Sequence, residues 1–79
     1  MYFVYILKSI KTKRTYIGCS KNKERRLQEH NDGKVRSTKA YRPWEVIYFE
    51  SIENREAAFK REKEIKSYKN NEKFKSLIG

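Results

Sequence analysis

A chain of 79 residues with a single cysteine has room for one thin core, and it cannot build a disulfide framework or a cysteine-based zinc site. Six Tyr, four Phe and one Trp are too many for a disordered tail. Lys and Arg number 20 against 10 Asp and Glu; the net charge of +10 suits a polyanionic partner, nucleic acid first, although a basic protein with no dedicated polyanion site has the same balance.

The opening run Met1–Leu7 is apolar but short and follows no basic segment, so it does not read as a secretory signal. No stretch approaches the roughly 20 apolar residues of a membrane span. With one thiol and no leader, a reduced cytoplasmic setting is the expectation. No repeat, low-complexity segment or linker divides the chain, so residues 1–79 are expected to form one domain.

"YFVYILK", Tyr2–Lys8, is β-branched or aromatic at both alternating sets of positions, which predicts a strand covered on both faces. "SIKTKR" is turn-like, and Thr15–Cys19 reads as the second strand of a hairpin. Ser20 or Asn22 can cap a helix over Lys23–Asn31 that has one large apolar residue, Leu27, and is ended by Asp32-Gly33. Lys34–Arg42, "KVRSTKAYR", reads as a basic loop closed by Pro43, and Trp44–Glu50 as a third strand. Glu53 or Asn54 opens a longer helix running to about Tyr68, and Asn70-Asn71 precedes a short helix with Phe74, Leu77 and Ile78 on one side. The order β-β-α-β-α-α predicts a small α+β domain, a three-stranded antiparallel sheet flanked by helices.

Polar residues on apolar faces mark candidate chemistry. With Ala58 at zero on the long helix, Ile65 falls at about −20° and Phe59 at about +100°, so these three define its expected apolar face. Glu62 falls at about +40°, inside that face. A carboxylate there needs a cation, a metal or a raised pKa, and a pairing with a nearby Lys or Arg at the face's edge would also satisfy it. On the first helix Arg26 and His30 are four apart and share a face, where they either project into solvent or flank a polar cleft. There Arg could hold a phosphate and His could move protons near neutral pH. Tyr5 and Tyr16 are eleven apart; paired directly across the hairpin they share a face of the sheet, whereas a one-residue slip would separate them. Gly18 fits either a backbone close to a phosphate or tight local packing.

These residues together resemble the GIY-YIG nuclease superfamily, in particular its small single-domain bacterial members related to the amino-terminal domain of the excinuclease C protein. "FVYIL" occupies the GIY position with Val4-Tyr5 as its last two letters, and Tyr16-Ile17-Gly18 follows after ten residues. "NKERRLQEHN" aligns Arg26 with the family's catalytic arginine and His30 with a frequently functional position. "RPWEVIYFES" and "REAAFKREKEIK" match the last strand and helix, which places Glu62 on the metal-binding glutamate. The likeness covers essentially the whole chain, with two departures: Phe3 stands at the motif's first Gly, and Cys19 follows Gly18 where some relatives carry a Lys, removing an electrophilic contact.

The resemblance implies a metal-dependent endonuclease that hydrolyses phosphodiester bonds in DNA, in repair or recombination. Glu62 would hold a divalent ion, Mg²⁺ as the first expectation and Mn²⁺ as a substitute, since one carboxylate and several waters suit magnesium. Arg26 would hold the scissile phosphate, and Tyr5, Tyr16 or His30 would orient or deprotonate the attacking water, with Tyr5 the base the resemblance favours. Arg26 and the metal would lower the phenol's pKa. Gly18, Lys34, Arg36, Lys39 and Arg42 are expected to contact nucleic acid, and Tyr41 and Trp44 to stack on an unpaired base or to pack at the strand start. Branched, flapped or single-stranded DNA is the expected substrate. The alternative is a nucleic-acid-binding module with the same fold and weak catalysis; a partner-binding protein presenting Tyr41 and Trp44 is a third reading.

Overall fold

The computed structural model describes residues 1–69 and 71–78. Strand β1, Tyr2–Ser9, lies between β2, Thr15–Ser20, and β3, Trp44–Ile52, and both neighbours run antiparallel to it. The doubly apolar pattern of β1 follows from that central place. Its Val4 and Ile6 face one layer of helices, and its Tyr5 and Leu7 face the other, all four buried.

One face carries α1, Lys23–Asn31, and the other α2, Arg55–Tyr68, with α3, Glu72–Ile78. The Asn22 side chain caps α1 by accepting the Arg25 amide at 3.0 Å, and Asn54 caps α2 in the same way through Ala57 at 2.9 Å. Of the Asn70-Asn71 pair, Asn70 lies outside the described residues; Asn71 Oδ1 accepts from the amides of Lys73 and Phe74 at 2.9 and 3.3 Å. No described helix is long and apolar enough to cross a membrane.

Two expectations are corrected, and of the two readings of Trp44 the packing one is realised. The apolar face of α2 is turned away from Phe59, which is 45 % exposed beneath the Arg55 guanidinium. Ala58 and Ile65 are fully buried, and Tyr68 flanks them because α3 returns on that side with Phe74, Leu77 and Ile78. The stretch Lys34–Arg42 is not all loop: Lys39–Tyr41 forms a turn of 3-10 helix. Trp44 is buried against Tyr5 and Leu7, with its indole N–H donating to the Thr38 carbonyl at 3.0 Å. It therefore packs rather than stacks on a base, and it offers no exposed surface to a partner.

Gly33 ends α1 with φ of 78°, a left-handed value that glycine adopts without strain. A Cβ there would also collide with the Arg42 guanidinium, which folds back over it.

Candidate active site

Tyr5 and Tyr16 share the α1 face of the sheet, though not as direct partners. Tyr5 pairs with Gly18 and Tyr16 with Leu7, a shift of two residues that keeps both phenols on one side. The register explains the glycine: a Cβ on Gly18 would lie 2.7 Å from Tyr5 Oη and 2.9 Å from the ring carbon that bears it. Gly18 is buried beneath that phenol, and this packing accounts for the glycine.

Over this pair lies the C-terminal half of α1, anchored by Leu27 against Tyr5, Leu7 and Trp44. His30 is fully buried, its ring 4.9 Å from that of Tyr16. Its Nε2 is 3.3 Å from Tyr5 Oη and its Nδ1 is 2.7 Å from Thr38 Oγ1. Burial first, then the Arg26 charge, pushes the imidazole pKa down to about 4, so His30 is neutral at physiological pH.

Arg26, one turn earlier, donates to Glu29 Oε1 at 2.8 Å and lies near the Tyr5 hydroxyl. It borders an open concavity of about 330 Å³ lined by Ser20, Lys21, Asn22, Arg25, Arg26 and Glu29. Burial raises the Tyr5 pKa to about 12, outweighing the nearby Arg26 charge. Of the two cations expected to lower the phenol's pKa, Arg26 by itself does not offset desolvation.

Glu62 approaches from the other layer. On α2, Arg61 leans toward β3 and pairs with Glu50, its Nη2 2.7 Å from Oε2, while Glu62 leans toward β2. Glu62 Oε2 is 2.6 Å from Lys66 Nζ, so the edge pairing with a lysine is realised. Cys19, just past Gly18, lies near Glu62; burial and that carboxylate raise its pKa to about 12. Tyr5, Tyr16, Arg26 and His30 form one cluster on the α1 side of the sheet, whereas Glu62 belongs to the layer on the other side, near Cys19 of β2. Among the described residues no group of three or more His, Cys, Asp or Glu side chains gathers to hold a metal. A single carboxylate fits an ion that keeps most of its water, as Mg²⁺ does, and does not fit a dehydrated protein cage.

Lys34, Arg36, Lys39 and Arg42 are all exposed, and the last three border one open basic concavity with Lys11. Phe3, at the place of the motif's first Gly, stays clear of Tyr5; it packs edge-on to Phe49 at 6.1 Å beneath Lys23. Sequence reasoning missed Thr38, a loop residue whose partner His30 lies eight residues back on α1, and Lys66, whose partner Glu62 lies one helical turn back. Only the i,i+4 spacing of Glu62 and Lys66 left a legible trace.

A family model described as the GIY-YIG catalytic domain matches residues 1–75. The chain belongs to the GIY-YIG family. A UPF0213 protein of Syntrophus aciditrophicus is 39 % identical over 77 residues, covering 95 % of this chain and 87 % of its own. A UPF0213 protein of Staphylococcus epidermidis is also 39 % identical over 77 residues, covering 96 % and 93 %. The solution NMR structure of a UPF0213 protein from Bacillus halodurans superposes with a TM-score of 0.58 at 26 % identity, covering 98 % of this chain and 83 % of that one. The GIY-YIG match supports a nuclease-type function, and the α+β order agrees with this structural relative. Within the GIY-YIG domain the two halves of the motif meet as register partners, since Tyr5 lies over Gly18.

Proposed function

We propose that this GIY-YIG domain is a metal-dependent endonuclease that hydrolyses phosphodiester bonds in DNA. The observation that carries the proposal is the clustering of Tyr5, Tyr16, His30 and Arg26 on one face of the sheet, with Glu62 near Cys19 on the same strand as Tyr16. Arg26 binds the scissile phosphate, exchanging its contact with Glu29 for a phosphate oxygen. A water attacks phosphorus as the bond to the leaving oxygen breaks. Its proton goes to Tyr5 Oη while the Tyr5 proton moves to His30 Nε2, so no free phenolate is needed despite the raised pKa. A phosphate on Arg26 offsets the charge that disfavours the imidazolium. Tyr16 holds the His30 ring and the water's position. A divalent ion bound at Glu62, Mg²⁺ or Mn²⁺, would supply positive charge for the leaving oxygen. The leaving oxygen takes its proton from solvent.

Lys34, Arg36, Lys39 and Arg42 supply phosphate contacts that do not read sequence. An open cavity of about 510 Å³ beside Tyr16, bordered by Arg14, Tyr41 and Thr38, suits an unpaired nucleotide, which favours branched, flapped or single-stranded DNA. Tyr41 already carries Arg14 over its ring at 4.5 Å, a platform for such stacking. The setting is the cytoplasm, in repair or recombination.

A nicking assay on supercoiled plasmid and on flapped duplexes, with Mg²⁺ or Mn²⁺, tests the reading. Wild type is expected to nick and Glu62→Ala to lose the activity; equal rates in both would sink the proposal. The Glu62–Lys66 pair favours a second reading, a nucleic-acid-binding module with weak catalysis. That reading expects salt-sensitive DNA binding without turnover in any metal.

A further inference from the structure

Thr38 is polar, 1 % exposed, and sits in a loop whose neighbours Ser37 and Lys39 are exposed. Its main chain is held at three points. Its amide donates to the Val35 carbonyl at 3.1 Å, and its carbonyl accepts from the Trp44 indole at 3.0 Å and the Tyr41 amide at 3.1 Å. Trp44 is fixed in turn by Asn31 at the end of α1: the Trp44 amide donates to Asn31 Oδ1 at 2.6 Å, and Asn31 Nδ2 donates to the Trp44 carbonyl at 3.1 Å. The position of the Thr38 backbone is therefore set without its hydroxyl.

The hydroxyl has one task left. Its proton goes to the Val35 carbonyl at 3.3 Å, an acceptor only, which leaves Oγ1 to accept from His30 Nδ1 at 2.7 Å. A neutral imidazole with its proton on Nδ1 has a bare lone pair on Nε2, and Nε2 faces Tyr5 Oη. We infer that Thr38 is a positioning residue: its hydroxyl fixes His30 in the Nδ1–H tautomer, so that Nε2 is the atom able to take the Tyr5 proton. The chain of donors runs one way, from Tyr5 O–H to His30 Nε2, from His30 Nδ1–H to Thr38 Oγ1, and from Thr38 O–H to the Val35 carbonyl. Reversing the tautomer would set two donors, Nε2–H and the Tyr5 hydroxyl, against each other or turn the phenol to accept. In either case Tyr5 would have nowhere to send a proton. The lowered His30 pKa agrees, since the ring stays neutral and the tautomer question is meaningful through the physiological range.

The catalytic consequence rests on the nuclease reading; the tautomer does not. His30 is the sole histidine of the chain, so a long-range ¹H–¹⁵N correlation spectrum of the labelled protein reports it without assignment ambiguity. Wild type is expected to show protonated Nδ1 and bare Nε2; a proton on Nε2 overturns the inference whatever any variant does. Thr38→Val, nearly the same shape without the hydroxyl, is expected to move the proton wholly or partly to Nε2. It should lower kcat for nicking by about tenfold or more with KM little changed, as expected when a histidine loses the partner that sets its tautomer. Thr38→Ser is expected to restore both. Thr38→Val with a wild-type tautomer and wild-type kcat overturns the inference, as does failure of Thr38→Ser to restore the Nδ1–H form. Absence of nicking by wild type would instead overturn the nuclease reading, while the spectrum still decides the tautomer.

Discussion

Burial governs the chemistry of individual side chains here more than charge does. His30 has its pKa depressed to about 4 from the usual 6.5 because the imidazolium would be desolvated beside Arg26. The folded form therefore binds its proton less readily than the unfolded chain. Stability from this group is full above about pH 6.5 and is lost as pH falls toward 4, by an amount on the order of a few kcal/mol. Thermal melts between pH 7 and 4.5 should show a steeper fall for wild type than for His30→Gln; parallel curves would refute it. The carboxylates held down by arginines, such as Glu50 beside Arg61, lose their protective charge below this window and do not obscure the difference. Arg26→Lys keeps the charge but loses the planar fork that pairs with Glu29 and, in the proposed mechanism, with a phosphate. Its kcat/KM for nicking should fall by about a hundredfold, with melting temperature little altered. Cys19, with its thiol pKa raised to about 12, stays protonated near neutral pH. It should react with iodoacetamide far more slowly than an ordinary exposed cysteine, and labelling at the rate of a free thiol would contradict that.

At the scale of elements, α1 carries Arg26 and His30 with one large apolar residue. That residue, Leu27, packs against Tyr5, Leu7 and Trp44, so Leu27→Ala should cost about 2 kcal/mol and reduce nicking more than its effect on folding explains. Denaturant unfolding and steady-state kinetics on the same preparation check both. The elements themselves were legible, down to the bounds of α1, because strand and helix periodicities and Asn caps are local signals. The rotation of α2 was not. Helical angles place Phe59 and Glu62 on one flank of Ala58, but only tertiary partners decide which flank is covered. Here α3 and the Arg61–Glu50 pair draw the helix toward Tyr68 and leave Phe59 outside. The site was legible in part for the same reason. Arg26 and His30 are visible as an i,i+4 pair, whereas Thr38 carries no periodicity and Trp44 looks alike in sequence whether it packs or stacks.

Over the whole molecule, the proposed DNA cleavage together with the charge of +10 and the basic residues on the loop after α1 predicts that salt is the main control on affinity. Replacing Lys34, Arg36, Lys39 and Arg42 by Ala should weaken binding similarly for every sequence tested. The log–log salt slope should shrink by about one for each phosphate no longer neutralised, as read from fluorescence anisotropy at several salt concentrations. The Tyr5–Gly18 register pair has a consequence at this scale too. The distance along the chain between the two halves of the motif is hairpin arithmetic, fixed by which residue of β2 lies opposite Tyr5. Extra residues at the tip of the turn leave that count of strand pairs untouched. One extra residue between Tyr16 and Gly18 would either slide a side chain beneath the phenol or, with Gly18 kept in place, turn Tyr16 to the opposite layer. The tripeptide thus works as a ruler: it measures out the space in which a single oxygen atom is allowed to sit.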